Sequence, residues 1–220
     1  MEFTTASLSV QAYDQIRQKI ICLELAPGAI IDENSLQAEL DLGRTPIREA
    51  LLRLSQEKLI NIVPRRGIFV SEISISHLQQ LFEMRLALEP VAARLASQRG
   101  SDQQFIEYQR VLEACLTTPP EQKNEAFIQA DRACHQILYE ASANKLLEDA
   151  LRILYALSHR LWNYSRIEIE ALEPALSPHN QILAALKNRD GELAGDLIEQ
   201  HVRKFQEEIR GAMLGITNSS

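Results

Sequence analysis

Asp131 and His135 stand four residues apart in "AFIQADRACHQILYEA". At that spacing both side chains share one helix face. Ile128 and Leu138 lie on the same face, so it points into a core, where a charged pair needs a reason to be. His179 follows Ser177-Pro178, and His201 sits in "LIEQHVRKF" beside Ile198, Val202 and Phe205. One carboxylate and three imidazoles, converging from three helices inside a bundle, are a donor set for a first-row divalent ion. The same residues also suit a structural Asp–His hydrogen bond and satisfied core histidines, and spacing leaves both readings open. A second group offers different chemistry. Between Arg44 and Arg66 the cations Arg44, Arg48, Arg53, Lys58, Arg65 and Arg66 face only Glu49 and Glu57, six against two, so the window carries +4. Arg44 and Arg48 share the exposed face at the start of a helix, the end of a recognition helix that meets base edges. Arginine suits guanine O6 and N7, and helix N-terminal amides with the Thr45 hydroxyl suit phosphate. Arg65-Arg66 lie where a hairpin tip could reach an adjacent groove or backbone. A solvated basic helix face would have the same composition.

The elements that must position these groups follow from periodicity and punctuation. Val10, Tyr13, Ile16, Ile20 and Leu23 recur in steps of three and four, which predicts one helix from Leu8 to about Leu23. Pro27-Gly28 ends it. Asp32 is a fair N-cap for a short helix to about Leu40. A second helix holds Ile47, Leu51 and Leu54, with Thr45 expected at its N-cap and Pro46 at its first position. Two β-branched runs, Asn61–Pro64 and Gly67–Ser71, flank Arg65-Arg66 and predict a small hairpin. Helix, short helix, turn, helix and hairpin make a winged helix-turn-helix. From Ser74 onward the chain predicts five or six amphipathic helices, near 75–99, 101–117, 121–143, 144–169, 177–189 and 190–213. The expected fold is therefore mainly α: a winged helix-turn-helix over residues 1–73, then an all-α antiparallel helical bundle over 74–220.

Composition bounds the function. With 220 residues, 45% hydrophobic and 24% charged, the chain can bury one large core or two small ones, which excludes low-complexity, collagen-like and disordered classes. The formal net charge of −7 alone argues against a nucleic-acid partner. The +4 window overrides that average. No run of about 18 apolar residues is present, so no membrane span is expected, and the first residues lack the basic and apolar regions of a secretory signal. Cys22, Cys115 and Cys134 form no Cys-x-x-Cys pattern and read as buried, reduced thiols of a cytoplasmic protein.

The stretch "LQAELDLGRTPIREALLRLSQEKLINIVPRRGIFVSEIS" resembles the DNA-binding signature of GntR-type bacterial transcription regulators. The resemblance implies contacts to operator DNA from Arg44, Thr45 and Arg48, with Gly67 at the wing tip beside Arg65 and Arg66. It also places Asn34 where an arginine often opens the preceding helix. Asp41 and Gly43 depart from the usual glycine and hydroxyl residue of the turn, which points to weaker binding or a shifted base preference. The pieces "LFEMRLALEPVAARLAS", "DRACHQILYEASANKLL", "SPHNQILAALKNRDGELA" and "IEQHV" resemble the FCD domain of the FadR subfamily. That likeness implies that Asp131, His135, His179 and His201 hold a divalent ion such as zinc or nickel. It implies in turn a small organic acid effector rather than a fatty acyl group, and a homodimer that reads a palindromic operator. Arg85 occupies an arginine position of this domain and could pair with a carboxylate or, equally, with Glu89. Asn144 could donate to the effector or cap a helix. His77 and His159 match nothing in the pattern and read as surface or structural residues, Trp162 and Tyr164 as core or pocket wall. The expected role is a ligand-responsive regulator and not an enzyme. Sensing of the metal itself and metal-dependent catalysis are the alternatives.

Overall fold

The computed structural model describes residues 7–165, 167 and 172–214. The chain forms two compact units, Met1–Ser74 and Ile75–Ser220.

In the first unit, α1 (Leu8–Ile21), α2 (Glu33–Leu40) and α3 (Arg44–Gln56) surround a small core. Ala12, Ile16 and Ile20 of α1 are fully buried, as are Ile47 and Leu54 of α3. Ile16, Ile20, Ile47 and Leu54 are positions that the three-and-four spacing predicts, whereas Val10 is exposed and Leu23 lies beyond the end of α1. Asp32 caps α2, its carboxylate accepting from the amides of Asn34 and Ser35 at 3.2 Å each. β2 (Ile60–Val63) and β3 (Gly67–Val70) form the expected hairpin. A third strand, β1 (Ile30–Ile31), joins the other edge of β3, giving the antiparallel order β1-β3-β2. Two residues are too few to show a period of two, so this strand has no signature in the sequence. Gly67 stands at φ +119, a backbone conformation open to glycine and strained for other residues.

The second unit is all helical among the described residues: α4 (Ile75–Arg99), α5 (Asp102–Leu116), a 3₁₀ turn (Pro120–Gln122), α6 (Lys123–Ala141), α7 (Lys145–Ser165), α8 (Leu172–Lys187) and α9 (Gly191–Met213). α4 packs along α9 through small residues. A Cβ added at Gly191 would come within 2.8 Å of Ser97 Oγ on α4, so glycine permits that approach. α5 opens with a capping box between Ser101 and Gln104. The clearest departure from the periodicity reading is α8. It begins at Leu172, not at residue 177, and carries Pro178 inside it. Proline in a helix interior removes an amide and costs about 3 kcal/mol. Complete burial of Leu176 and Ile182 on the same helix offsets that cost, and local sequence does not report it.

Cys115 and Cys134 are buried and reduced as expected, but Cys22 is exposed, just beyond the end of α1. No helix among the described residues is long and apolar enough to cross a membrane.

Candidate functional site

In the second unit, α6 supplies Asp131 and His135, α8 supplies His179 and α9 supplies His201. One donor atom from each lies within 4.8 Å of the other three. Asp131 Oδ1 is 2.9 Å from His179 Nε2, 3.4 Å from His201 Nε2 and 3.7 Å from His135 Nε2. The Nε2 atoms of His135 and His201 are 3.3 Å apart. Neighbouring ligands of a tetrahedral ion with bonds of ~2.0–2.1 Å stand roughly 3.3 Å apart, so these four donors fit a small divalent ion.

The outward-facing atoms of three of these residues are held as well. Glu89 Oε2 lies 3.0 Å from His135 Nδ1, and Tyr139 Oη lies 3.2 Å from the same nitrogen. The hydrogen bond at Nδ1 is the one with Tyr139 Oη, and the ionised Glu89 carboxylate beside it favours a proton on Nδ1, which leaves a bare Nε2 facing the cluster. Tyr108 Oη is 3.0 Å from His179 Nδ1, and the Tyr155 hydroxyl donates to Asp131 Oδ2 at 2.5 Å. Glu89 is in turn held by Arg85, whose Nε donates to Glu89 Oε1 at 2.5 Å. The Arg85–Glu89 ion pair expected as one role for Arg85 is therefore formed, and it is wholly buried.

Electrostatics act on His201, Asp131, Glu89 and the two tyrosines. Burial pulls His201 down to about 4, with the neighbouring His179 and His135 rings adding to the effect and Asp131 opposing it, so the ring is neutral at neutral pH. Burial alone would raise Asp131, but the neighbouring His135 ring and the hydrogen bonds from His179 and His201 hold it well below the usual carboxylate range. Glu89 falls to about 2 by the same contest, Arg85 and His135 outweighing burial. Burial first, and then nearby carboxylate charge, pushes the Tyr139 and Tyr155 hydroxyls well up, so both stay protonated.

A cavity of about 390 Å³ opens beside Asp131 and His201. Arg85, Ser158 and His159 contribute to its lining, and Phe127, Trp162 and Phe205 form an aromatic wall. Arg85 thus combines the ion pair with a place on the cavity wall. Trp162 is the pocket wall expected of it, whereas His159, expected at the surface or in a structural role, is buried and lines the cavity. Tyr164, expected in the core or pocket wall, is instead half exposed and outside the cavity lining, and His77 is exposed. Asn144 lies outside the cavity lining, and its Oδ1 accepts from the Leu147 amide at 3.3 Å at the start of α7, the cap role. Cys134 is buried beside the ligand helix and is not one of the four donors.

In the first unit, Arg44, Thr45 and Arg48 are exposed on the first turns of α3. The N-cap is Gly43, not Thr45, and it makes no side-chain cap bond. The amides of Arg44 and Thr45 thus open the helix with no intrahelical acceptor. Asp41 takes the left-handed conformation at φ +52 that ends α2, which explains why glycine is usual there. Arg48 Nε pairs with Glu33 Oε2 at 2.7 Å, and Asn34 is exposed beside Glu33 at the start of α2. Arg53, expected with the basic window to face DNA, sits apart from this group. Its guanidinium lies 3.6 Å from the Tyr13 ring centroid and its Nε 3.4 Å from Glu57 Oε1, so it ties α1 to the C-terminal part of α3. Arg65 and Arg66 are exposed in the β2–β3 turn beside Gly67.

Residues 8–70 match the family of bacterial regulatory proteins called gntR, and residues 80–204 match the FCD domain. The chain belongs to the GntR family of transcriptional regulators. Escherichia coli (strain K12) HTH-type transcriptional repressor RspR is 27% identical over 206 residues, spanning 94% of this chain and 90% of its own. The Nta operon transcriptional regulator of Aminobacter aminovorans is 29% identical over 197 residues, covering 86% of this chain and 90% of its own. Among solved structures, E. coli McbR/YncC superposes with a TM-score of 0.83 at 23% identity, covering 95% of this GntR regulator and all of that chain. The relatives of this regulator are transcription factors and not enzymes, as is its architecture of a winged helix-turn-helix unit and a helical FCD unit.

Proposed function

We propose that this GntR regulator, of the FadR type, is a metal-containing, cytoplasmic homodimer that reads a palindromic operator and whose DNA affinity is set by a small carboxylate. The observation that carries this reading is the convergence of Asp131, His135, His179 and His201 at the edge of a cavity, with three of the four held from behind by buried partners. Those four residues would hold the ion. A bound divalent ion would supply a fixed positive charge and a coordination position for a carboxylate oxygen. Arg85 adds positive potential to the same wall. The first unit reads DNA through Arg44, Thr45 and Arg48 on α3, Asn34 on α2, and Arg65 and Arg66 at the wing beside Gly67. Dimer symmetry would mirror operator symmetry. Effector binding shifts the population of dimers whose two DNA-reading units match the operator, a coupling of about 1–3 kcal/mol in such systems. The cavity favours this over sensing of the metal alone, because an ion acting by itself needs no such space beside it.

Elemental analysis of zinc-loaded protein should find about one ion per chain, and His135→Ala and His201→Ala should each lose it. Operator binding should then respond to a carboxylate only when the ion is present. Wild-type protein that stays metal-free after loading defeats the centre. A response to chelator with no organic ligand present would favour the ion itself as the signal.

A further inference from the structure

The cavity is layered, and the layers constrain what fills it. Along α6, Phe127 lies one turn before Asp131; along α9, Phe205 lies one turn after His201. On α7, Tyr155 donates to Asp131, Ser158 follows one turn later and Trp162 two turns later. Four residues of helix rise about 6 Å, so an aromatic layer sits one turn from the layer of metal-binding donors. That layer is continuous: Trp162 stacks on Phe205 with ring centroids 5.6 Å apart at 17°, and Phe127 meets Trp162 at 5.8 Å. Ser158, one turn after Tyr155 and one before Trp162 on α7, lines the same cavity, and its hydroxyl oxygen is buried with no hydrogen-bond partner while the residue is only 1% exposed. A buried hydroxyl without a partner is costly, and a ligand oxygen would remove the cost. The remaining charged groups of the lining, Lys204 and Glu208, are exposed on α9.

We infer that the effector is an aromatic monocarboxylate, with its ring joined to the carboxylate directly or through one carbon. This rests on the metal-and-carboxylate reading above. The carboxylate faces the donor layer and accepts from the Ser158 hydroxyl, and the ring lies against Phe127, Trp162 and Phe205. Sugar acids and tricarboxylates fit poorly. Arg85 Nε is taken by Glu89, and Asp131 and His201 by the ion, so beyond His159 and the exposed Lys204 the extra hydroxyls or carboxylates of those acids would meet the aromatic wall. Each buried polar group left unpaired costs roughly tenfold in affinity.

Trp162 is the single tryptophan of the chain, so its fluorescence reports the cavity directly. Zinc-loaded protein should be titrated with benzoate, phenylacetate, acetate, citrate and gluconate, by fluorescence and by calorimetry. Benzoate or phenylacetate should bind at least about tenfold tighter than the other three acids and change the Trp162 emission. Phe205→Ala should lose about tenfold for the aromatic acids while acetate affinity and zinc content stay within about threefold of wild type. Ser158→Ala, a milder change, should weaken every carboxylate alike. Citrate or gluconate binding more tightly than both aromatic acids, or acetate binding as well as benzoate, overturns the aromatic class and leaves the carboxylate reading standing. Failure of all five acids to bind zinc-loaded protein overturns both.

Discussion

Replacing Glu89 by leucine separates the two tasks of that carboxylate. Glu89 is fully buried between Arg85 Nε at 2.5 Å and His135 Nδ1 at 3.0 Å. Removing it strands a guanidinium that is 2% exposed, and breaking a buried ion pair in this way costs about 3–5 kcal/mol. Arg85 borders the cavity, so water can reach part of it and the lower end, about 3 kcal/mol, is expected. The double variant Arg85→Met/Glu89→Leu removes both charges and should recover most of that loss. Metal affinity should not recover with it. Losing the partner that fixes a ligand histidine costs about ten- to a hundredfold in affinity, about 1.4–2.7 kcal/mol. Tyr139 Oη, 3.2 Å from the same nitrogen, can still accept its proton, so a loss near tenfold is expected. Adding Tyr139→Phe should bring it towards a hundredfold. Guanidinium denaturation of the metal-free proteins measures the first quantity, and zinc competition against a chromogenic chelator measures the second. A double variant that regains stability and binds zinc as tightly as wild type refutes the claim that Glu89 orients His135.

The other expectations concern the first unit. Arg48→Ala should weaken operator binding by about tenfold or more at matched salt, the scale of one base-reading arginine. Arg53→Ala should instead lower stability, because its guanidinium lies on Tyr13 and beside Glu57; gel-shift and melting experiments on both variants test the contrast, and equal DNA defects would overturn it. Tyr13 is raised to about 12 by burial, with the hydrogen bond to Glu57 adding to it and Arg17 opposing. The unfolded phenol ionises near pH 10 and the folded one two units higher, so this stabilisation is complete below pH 10 and lost as pH rises to about 12. Denaturation midpoints should fall across that interval in wild type and fall less in Tyr13→Phe; parallel curves would remove Tyr13 from the account.

Much of the architecture is legible in residue order. Ile16, Ile20, Ile47 and Leu54 recur at helical spacing and are all buried in the core of the first unit. The i, i+4 pair Asp131–His135 and the short window of cations each mark a face, since 3.6 residues per turn decides which side chains of one helix lie together. Glu89 and Tyr139 were within reach of the same logic, standing four residues after Arg85 and His135. Tyr108 and Tyr155 were not, because their partners sit on other helices.

Residue order therefore determined the helices, the charged window and the types of donor available, all of which are short-range properties of the chain. The tertiary structure decided the rest. It started α8 before Pro178, moved the α3 cap to Gly43, drew Arg53 onto Tyr13 and added β1 to the wing. It also aimed three imidazoles and one carboxylate at a common point at the edge of a cavity. The rotation of one helix against another depends on how every buried side chain packs at once, and no local pattern records that sum.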